Sequence, residues 1–422
     1  MSINALVKLG EICCACTACE QICPKHCISM TEDAKGFLYP KVVESICVEC
    51  GLCEKVCPAL SKEVPVRPQK VYAAIHKDES VRLQSSSGGV FTALAEKVIQ
   101  DGGVVFGARF DDDWNVVHDY TESIEGLVSF RGSKYVQSRV GDNYARVKSF
   151  LTEGRTVLFT GTPCQTMGLW RFLRKDYENL IVVDFVCHGV PSSMVWRKYL
   201  NDLKETHTVC VDEKNNVSLS LKESTLVGVS FRDKRNGWKK FGFTTHFLPA
   251  SEADKKWVAK PLGSKKIDFF EPYYENAFMC AFLWDLCLRP SCYNCPAKGG
   301  RSHSDITIAD YWGVQNVLPD FDDDKGCSLV MLHTERGTHF YEKTNVISHV
   351  TTYEQALEGN PSIECSVVRG KYVDEFWKRY STESFPLLIQ SLEREMHLGV
   401  VQKIVRKFKS LLYKIFDLFR SR

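Results

Sequence analysis

The sequence predicts three parts in order: a small α+β module dense in cysteine, an α/β core built on a mainly parallel sheet, and a basic amphipathic helix at the C-terminal end. Three observations point there. Ten of the 19 cysteines lie in the first 57 residues. From residue 71 onward, strand-like and helix-like hydrophobic runs alternate. Over residues 401–419 apolar side chains recur at helical spacing, with lysines and arginines between them. A chain of 422 residues, 44% of them hydrophobic, has material for about two to three domains with cores of their own.

Charge and compartment narrow the function classes. The 54 Lys and Arg nearly balance 52 Asp and Glu, for a formal charge of +2, so the total gives no reason to expect a nucleic-acid partner. The opening MSINALVKLGEICCAC lacks the basic-then-apolar pattern of a secretory signal, and no run of about 18 apolar residues suggests a spanning helix. A cytoplasmic protein is therefore expected. In a reducing compartment, clustered cysteines read as metal ligands or redox centres rather than disulfides.

The module, residues 1–62, contains an internal repeat. Cys13, Cys16, Cys19 and Cys23 recur 34 positions later as Cys47, Cys50, Cys53 and Cys57, and each set closes on a proline, Pro24 and Pro58. This spacing, found twice, is that of bacterial two-cluster ferredoxins, in which three close thiolates wrap one face of a 4Fe-4S cubane and the fourth crosses to the other cluster. By that rule Cys13, Cys16, Cys19 and Cys57 hold one cluster, and Cys47, Cys50, Cys53 and Cys23 the other. Cys14 and Cys27 are left over. Zinc, the competing metal, takes four ligands in two knuckles and has no use for a third cysteine followed by Cys-Pro. Residues 61–70, SKEVPVRPQK, read as the linker that leaves the module.

In the core, strands are expected at 71–75, 104–110, 114–120, 156–160 and 181–186, and helices at 87–100, 142–151 and about 164–174. Helices inserted between strands imply parallel pairing. β-rich stretches follow between about 216 and 248, and a helix-like run over 275–288 leads into a second cysteine set. The core divides near residue 150 into 71–150 and 151–330, followed by a helical extension, 331–395, and the amphipathic segment, 396–422.

The second set comprises Gly161-Thr162-Pro163-Cys164-Gln165, Cys187-His188-Gly189-Val190-Pro191-Ser192, and Arg289-Pro290-Ser291-Cys292-Tyr293-Asn294-Cys295. Cys164 and Cys187 each follow a predicted strand, and in a parallel sheet such ends gather at the carboxyl edge where ligands bind. With the Cys292 and Cys295 pair, four thiolates can converge there. Buried structural cysteines and a Cys187-His188 nucleophile are the competing readings. Ser85 to Gly89 lacks a Rossmann fingerprint, yet small residues at a helix start expose backbone N–H groups to a pyrophosphate; an ordinary serine N-cap is the alternative. Lys134 and Tyr135 offer a cation and a stacking ring. Arg232, Asp233 and Lys234 suit a charged substrate or a solvated hairpin equally.

These motifs resemble, in their order, the coenzyme F-420 hydrogenase/dehydrogenase beta-subunit family, from the cysteine module to about residue 320. The Ser304-Asp305-Ile306-Thr307-Ile308 run before Trp312-Gly313 and the segment Gly132 to Ser138 belong to the same pattern. The resemblance implies an FAD-dependent oxidoreductase in which a third 4Fe-4S cluster, held by Cys164, Cys187, Cys292 and Cys295, lies beside the flavin. Cys287 is the alternative to Cys164. It implies cofactor contacts at Ser86, Ser87, Gly88, Gly89, Ser133, Lys134, Tyr135, Ser138 and His188. The donor is then reduced ferredoxin or a similar carrier, and the acceptor a small organic molecule. The bacterial branch near exopolysaccharide genes is the most similar, which suggests polysaccharide biosynthesis. A non-catalytic electron-transfer subunit is the alternative function.

In the terminal segment, Val401, Ile404, Val405, Phe408, Leu411, Leu412, Ile415, Leu418 and Phe419 form one stripe, and Lys403, Arg406, Lys407, Lys409 and Lys414 fill much of the rest. Such a helix suits a peripheral contact with anionic lipid, or packing on the protein or on a second copy. Nothing in the sequence indicates an oligomeric state.

Overall fold

In the computed structural model, which describes residues 9–206, 208–212, 217–220, 224–249 and 267–397, the cysteine repeat is also a repeat of backbone shape. Each copy has a 3-10 turn (Gly10–Ile12, Glu44–Ile46), a cysteine loop, and a short helix (Ala18–Ile22, Leu52–Lys55). Within the loops Ala15 and Glu49 take φ of 54° and 50°, and Thr17 and Gly51 take 63° and 69°. These left-handed residues curl the loop so that backbone N–H groups face sulfur: Ala15 N–H donates to Cys13 Sγ and Glu49 N–H to Cys47 Sγ, both at 3.4 Å. Between the copies, β1 (Ile28–Glu32) and β2 (Leu38–Val42) form an antiparallel hairpin. The amphipathic segment at 400–420 lies outside the described residues.

The core is built on an eight-stranded sheet. Its strands are β3 (Lys70–His76), β4 (Val104–Phe110), β5 (Val116–Thr121), β6 (Val157–Gly161), β7 (Leu180–Phe185), β13 (Ile306–Asp310), β14 (Ser328–Leu332) and β15 (Val346–Thr351), in the order β15-β3-β14-β13-β7-β6-β4-β5. The centre, β13-β7-β6-β4, is parallel as expected, because helices Asn143–Thr152 and Pro163–Leu173 supply the crossovers that parallel strands need. Both flanks are antiparallel, which the local pattern did not announce. β5 returns along β4, while β14 pairs with β13 and β3, and β15 with β3. Between β7 and β13 the chain inserts helix Ser193–Thr206, the pair β8 (Thr208–Asp212) and β9 (Val217–Ser220), and a three-stranded sheet of β10 (Ser224–Asp233), β11 (Gly242–Pro249) and β12 (Ile267–Pro272).

Packing assigns each face of the sheet a cover. Helix Val90–Gln100 closes one side through Leu94, Ala95 and Val98 against Val105, Leu158 and Val183. On another, Phe106, Phe159 and Val182 pack under Tyr144, Leu169 and Phe172, and Cys14, Cys16, Ala18 and Val56 of the module join that cluster. The module therefore shares a core with the crossover helices. The linker is fastened as well: Val66 N–H donates to Gly299 O at 3.0 Å, and Arg171 pairs with Glu63 at 2.9 Å. The largest cluster is aromatic and joins Trp196, Phe231, Phe243 and Phe278 to Phe376 and Phe385 near the described C-terminal end. Among the described residues no helix is long and apolar enough to cross a membrane.

Candidate iron-sulfur centres and cofactor site

The module contains two cavities, and their walls separate the thiols by the crossing rule. One is lined by Cys13, Cys16, Cys19 and Cys57, with Cys14 beside them. The other is lined by Cys23, Cys47, Cys50 and Cys53, with Cys27 beside them. Cys27 Sγ lies 3.4 Å from Cys23 Sγ. Burial first, then neighbouring cysteines, pushes the Cys57 thiol up to about 11 and the Cys19 thiol higher still. Crowded buried thiols that resist ionisation are what a metal relieves when it binds their anions. The thiols surround cavities, as a multi-iron cubane with its ligands at separate corners requires.

The second cysteine set meets at the carboxyl edge of the central strands. β6 ends at Gly161, and a capping box of Thr162 and Gln165 opens helix Pro163–Leu173, so Cys164 falls in its first turn. β7 ends two residues before Cys187, and Cys292 and Cys295 belong to the turn Pro290–Asn294 and its cap. Burial, followed by the fields of Cys292, Cys164 and Cys295, raises the Cys187 thiol. Burial together with Cys164 and Cys295 lifts Cys292 to about 12, and burial with Cys164 lifts Cys295 to about 11. The four thiols are thus neighbours. Cys287 is elsewhere: it is fully buried in the aromatic cluster, and its carbonyl accepts the Ser192 N–H at 2.9 Å.

Cys14, left over by the spacing rule, joins the two systems. It lines the first module cavity, and its thiol is held well above the usual range by its neighbour Cys16 and by burial, with Cys164 close enough to interact with it. Arg289, fully buried, braces this junction. Its Nε donates to Cys13 O at 2.6 Å and its Nη2 to Leu38 O at 2.7 Å, while Gln137 Nε2 donates to Cys14 O at 3.1 Å. Gly168 permits the contact, since a Cβ there would lie 2.9 Å from Cys16 Cβ and from the Tyr144 hydroxyl.

The residues expected around a flavin form a partial group. Ser133 N–H donates to Ser86 Oγ at 2.7 Å, tying the two motifs together. Tyr135 stacks on Phe282 at 4.8 Å, and His188, held by Asp285 at 2.6 Å, meets the same ring at 5.3 Å. Phe282 is buried in the aromatic cluster, and Tyr135 is half-buried at its margin. Other members do internal work. Ser87 Oγ donates to Cys327 O, Gly88 N–H donates to Ser328 Oγ, Gly89 is the N-cap of helix Val90–Gln100, and Ser138 Oγ accepts from Gln165 Nε2. A Cβ on Gly88 would fall 2.3 Å from Ala74 O, so that glycine lets the loop touch the sheet. Lys134 Nζ donates to the carbonyls of Phe130, Arg131 and Gly132, and burial lowers its pKa to about 7. An incoming anion would restore its charge rather than find free donors.

The solvated-hairpin reading of Arg232 to Lys234 does not hold. Arg232 is buried over the Phe241 ring and pairs with Asp310 at 2.9 Å, and Lys234 Nζ donates to the carbonyls of Arg82, Ser87 and Lys325. Sequence reasoning also passed over a buried polar chain. The Thr307 hydroxyl donates to Asp184, and His333 Nε2 is 2.9 Å from the same hydroxyl. Burial raises Asp184 to about 6 and lowers His333 to about 4.

Fold and thiols together define an iron-sulfur protein of the electron-transfer kind. Residues 12–60 match the family model of a 4Fe-4S dicluster domain. Residues 71–142 and 154–355 match the models of the N-terminal and C-terminal parts of the coenzyme F420 hydrogenase/dehydrogenase beta subunit. The chain belongs to that beta-subunit family, with the dicluster domain preceding it. Among solved structures, a chain of the F420-reducing [NiFe] hydrogenase complex from Methanosarcina barkeri is similar at 15% identity, over 72% of this chain and 93% of that chain, with a TM-score of 0.43. No curated protein matches.

Proposed function

We propose that the chain is an iron-sulfur flavoprotein oxidoreductase that passes electrons from a carrier such as reduced ferredoxin to a small organic acceptor. The observation that supports this reading is the nearness of Cys14, on the wall of the first module cavity, to Cys164 of the second cysteine set. Under this reading Cys13, Cys16, Cys19 and Cys57 hold one 4Fe-4S cluster, Cys23, Cys47, Cys50 and Cys53 a second, and Cys164, Cys187, Cys292 and Cys295 a third. FAD, supported by the Ser86, Ser133, Tyr135 and His188 group, would supply the exchange between one-electron and two-electron chemistry. The chain's own part is to keep the thiols dry and close, to neutralise their charge with Arg289, and to offer Tyr135 as a stacking surface.

A role in polysaccharide biosynthesis extends the family resemblance and depends on the acceptor. Contact of residues 400–420 with anionic lipid is part of the same proposal, and vesicles should retain the full chain but not one ending at 399. A second reading, a non-catalytic electron-transfer subunit, is favoured by the internal hydrogen bonds of Ser87, Gly88, Ser138 and Lys134, which leave fewer groups for a flavin. The test is anaerobic purification followed by release and identification of flavin, then reoxidation of the reduced protein by small acceptors. FAD at about one per chain, with two electrons delivered per acceptor molecule, supports the enzyme. Flavin-free protein that reduces only a partner protein establishes the subunit.

A further inference from the structure

Arg232, near the end of β10, is only 6% exposed, yet one corner alone of its guanidinium is engaged. Nη1 donates to Asp310 Oδ2 at 2.9 Å and lies 3.4 Å from the Tyr135 hydroxyl. Nε and Nη2 are buried without a partner among the described residues. Their N–H groups lie side by side along one edge of the guanidinium, the parallel pair that receives both oxygens of a carboxylate or phosphoryl group. Rings fix that plane: the central carbon is 3.9 Å from the Phe241 ring and 5.1 Å from Trp312, which stacks on Trp238 at 4.8 Å. Asp310 is held on the Nη1 side by Trp238 Nε1, which donates to its other oxygen at 3.1 Å. More positive charge stands nearby. Arg82 pairs with Asp323 at 2.5 Å, whereas Lys234 Nζ rests on the carbonyls of Arg82, Ser87 and Lys325. Burial, then the charges of Arg82 and Arg232, lowers Lys234 to about 8. A buried guanidinium with an empty edge is costly to maintain, and this one sits one ring below the surface, since Trp312 and Tyr135 are half-buried.

We propose that the Nε and Nη2 edge of Arg232 anchors the small acceptor, and that this acceptor is an organic acid whose carboxylate or phosphoryl group seats on the edge. The assignment rests on the reading of the chain as a flavin oxidoreductase. Tyr135 connects the two places: its hydroxyl faces Nη1, and its ring stacks on Phe282, which His188 also meets. An acid held at Arg232 therefore has its carbon skeleton beside the residues expected around the flavin. The anchor takes no part in bond making; it fixes the direction of the ligand and balances its charge. An uncharged analogue leaves both N–H groups of the edge poorly paired, and a site built to hydrogen-bond one ligand rejects another on that ground.

The test is calorimetric binding to the full chain, prepared anaerobically and left oxidised. The probes are benzoate and phenyl phosphate, with benzamide as the uncharged counterpart. At least one acid should bind about tenfold or more tightly than benzamide, and the tighter of the two tells a carboxylate site from a phosphoryl site. Arg232→Lys keeps a positive charge opposite Asp310 but has no paired edge, so it should weaken acid binding about tenfold or more and leave benzamide unchanged. Arg109→Lys, on β4 and paired with Asp119, should bind as the unaltered chain does. Should Arg232→Lys fail to fold, Asp310→Asn decides: it keeps an acceptor for Trp238 and removes the competing anion, so the acid should bind about threefold or more tightly. Benzamide binding as well as the acids, or acid binding that ignores both site variants, overturns the proposal. Failure of the unaltered chain to bind either acid also overturns it, and loss of flavin from Arg232→Lys in that case assigns the edge to the cofactor's own phosphate. Acid binding by a chain that yields no flavin removes the oxidoreductase reading instead, and with it the ligand's role as acceptor, while the anion site stands.

Discussion

Arg289 and Cys287 lie two positions apart and do unrelated things, which shows how finely the environment of each residue sets its role. Arg289 lies beside Cys164 and Cys292, where its charge helps to hold both thiols down, and replacing it leaves buried carbonyls of the module without donors. Cys287 fills space among Trp196 and Phe278. Cys287→Ala should therefore cost about 1–2 kcal/mol in unfolding free energy and leave the iron content unchanged, whereas Cys164→Ala should lose the iron bound outside the module. Iron analysis with urea unfolding checks both, and the opposite pattern would move the fourth ligand to Cys287. Asp184 yields a pH prediction. Its folded pKa of about 6 exceeds the unfolded value of about 3.9, so the native state binds that proton more tightly. The resulting stability is present below about pH 4 and is lost as pH rises through about 6, amounting to roughly 3 kcal/mol. Asp184→Asn should flatten this part of the stability profile, and an unchanged slope would show that the carboxyl ionises as freely as in water. The grouping of the module thiols around two cavities was legible because their spacing is local, whereas the surroundings of Cys14 were not, because Cys164 arrives through the fold. The setting of Lys134 was hidden for the same reason: the carbonyls it serves become visible only once the loop is closed.

Among the elements, helix Pro163–Leu173 has the most to do. Its first turn holds Cys164, its middle receives Cys16 at Gly168, and Arg171 near its end pairs with Glu63 of the linker. Gly168→Leu should overfill that contact at a cost of about 1–3 kcal/mol and loosen the module from the core. Limited proteolysis should then cut within residues 61–70 sooner than in the unaltered chain, and equal cutting rates would mean that the linker contacts hold the module without help from the helix. The strands and helices of the parallel centre were legible from alternating hydrophobic runs, and helices 90–100, 143–152 and 163–173 fall within a few residues of expectation. The antiparallel flanks were not, since periodicity reports which side of a strand is buried and carries no record of its neighbour. The insertion between β7 and β13 was seen only as scattered β-rich pieces, because its core is shared with Phe376 and Phe385 much later in the chain.

For the whole molecule, the iron inventory is the direct check. Three clusters require about twelve irons per chain, and removal of residues 1–60 should leave about four. The truncated chain should also be less soluble, since it uncovers Tyr144, Leu169 and Phe172. A truncated protein without iron would restrict the clusters to the module. The placement of β3 bears on a matter of timing. That strand, residues 70–76, follows the linker directly, yet it is hydrogen-bonded to β14 and β15, which end at Leu332 and Thr351. On a ribosome, where synthesis is vectorial at about 5–20 residues per second, the cysteine module emerges complete while β3 waits on the order of ten seconds or more for either neighbour. During that interval its Val-Tyr-Ala-Ala-Ile edge is a template for the wrong chain. The module can acquire metal early, whereas Cys292 and Cys295 emerge late, so under the proposed ligand set the cluster they share is filled last, although it lies at the central strands of the fold.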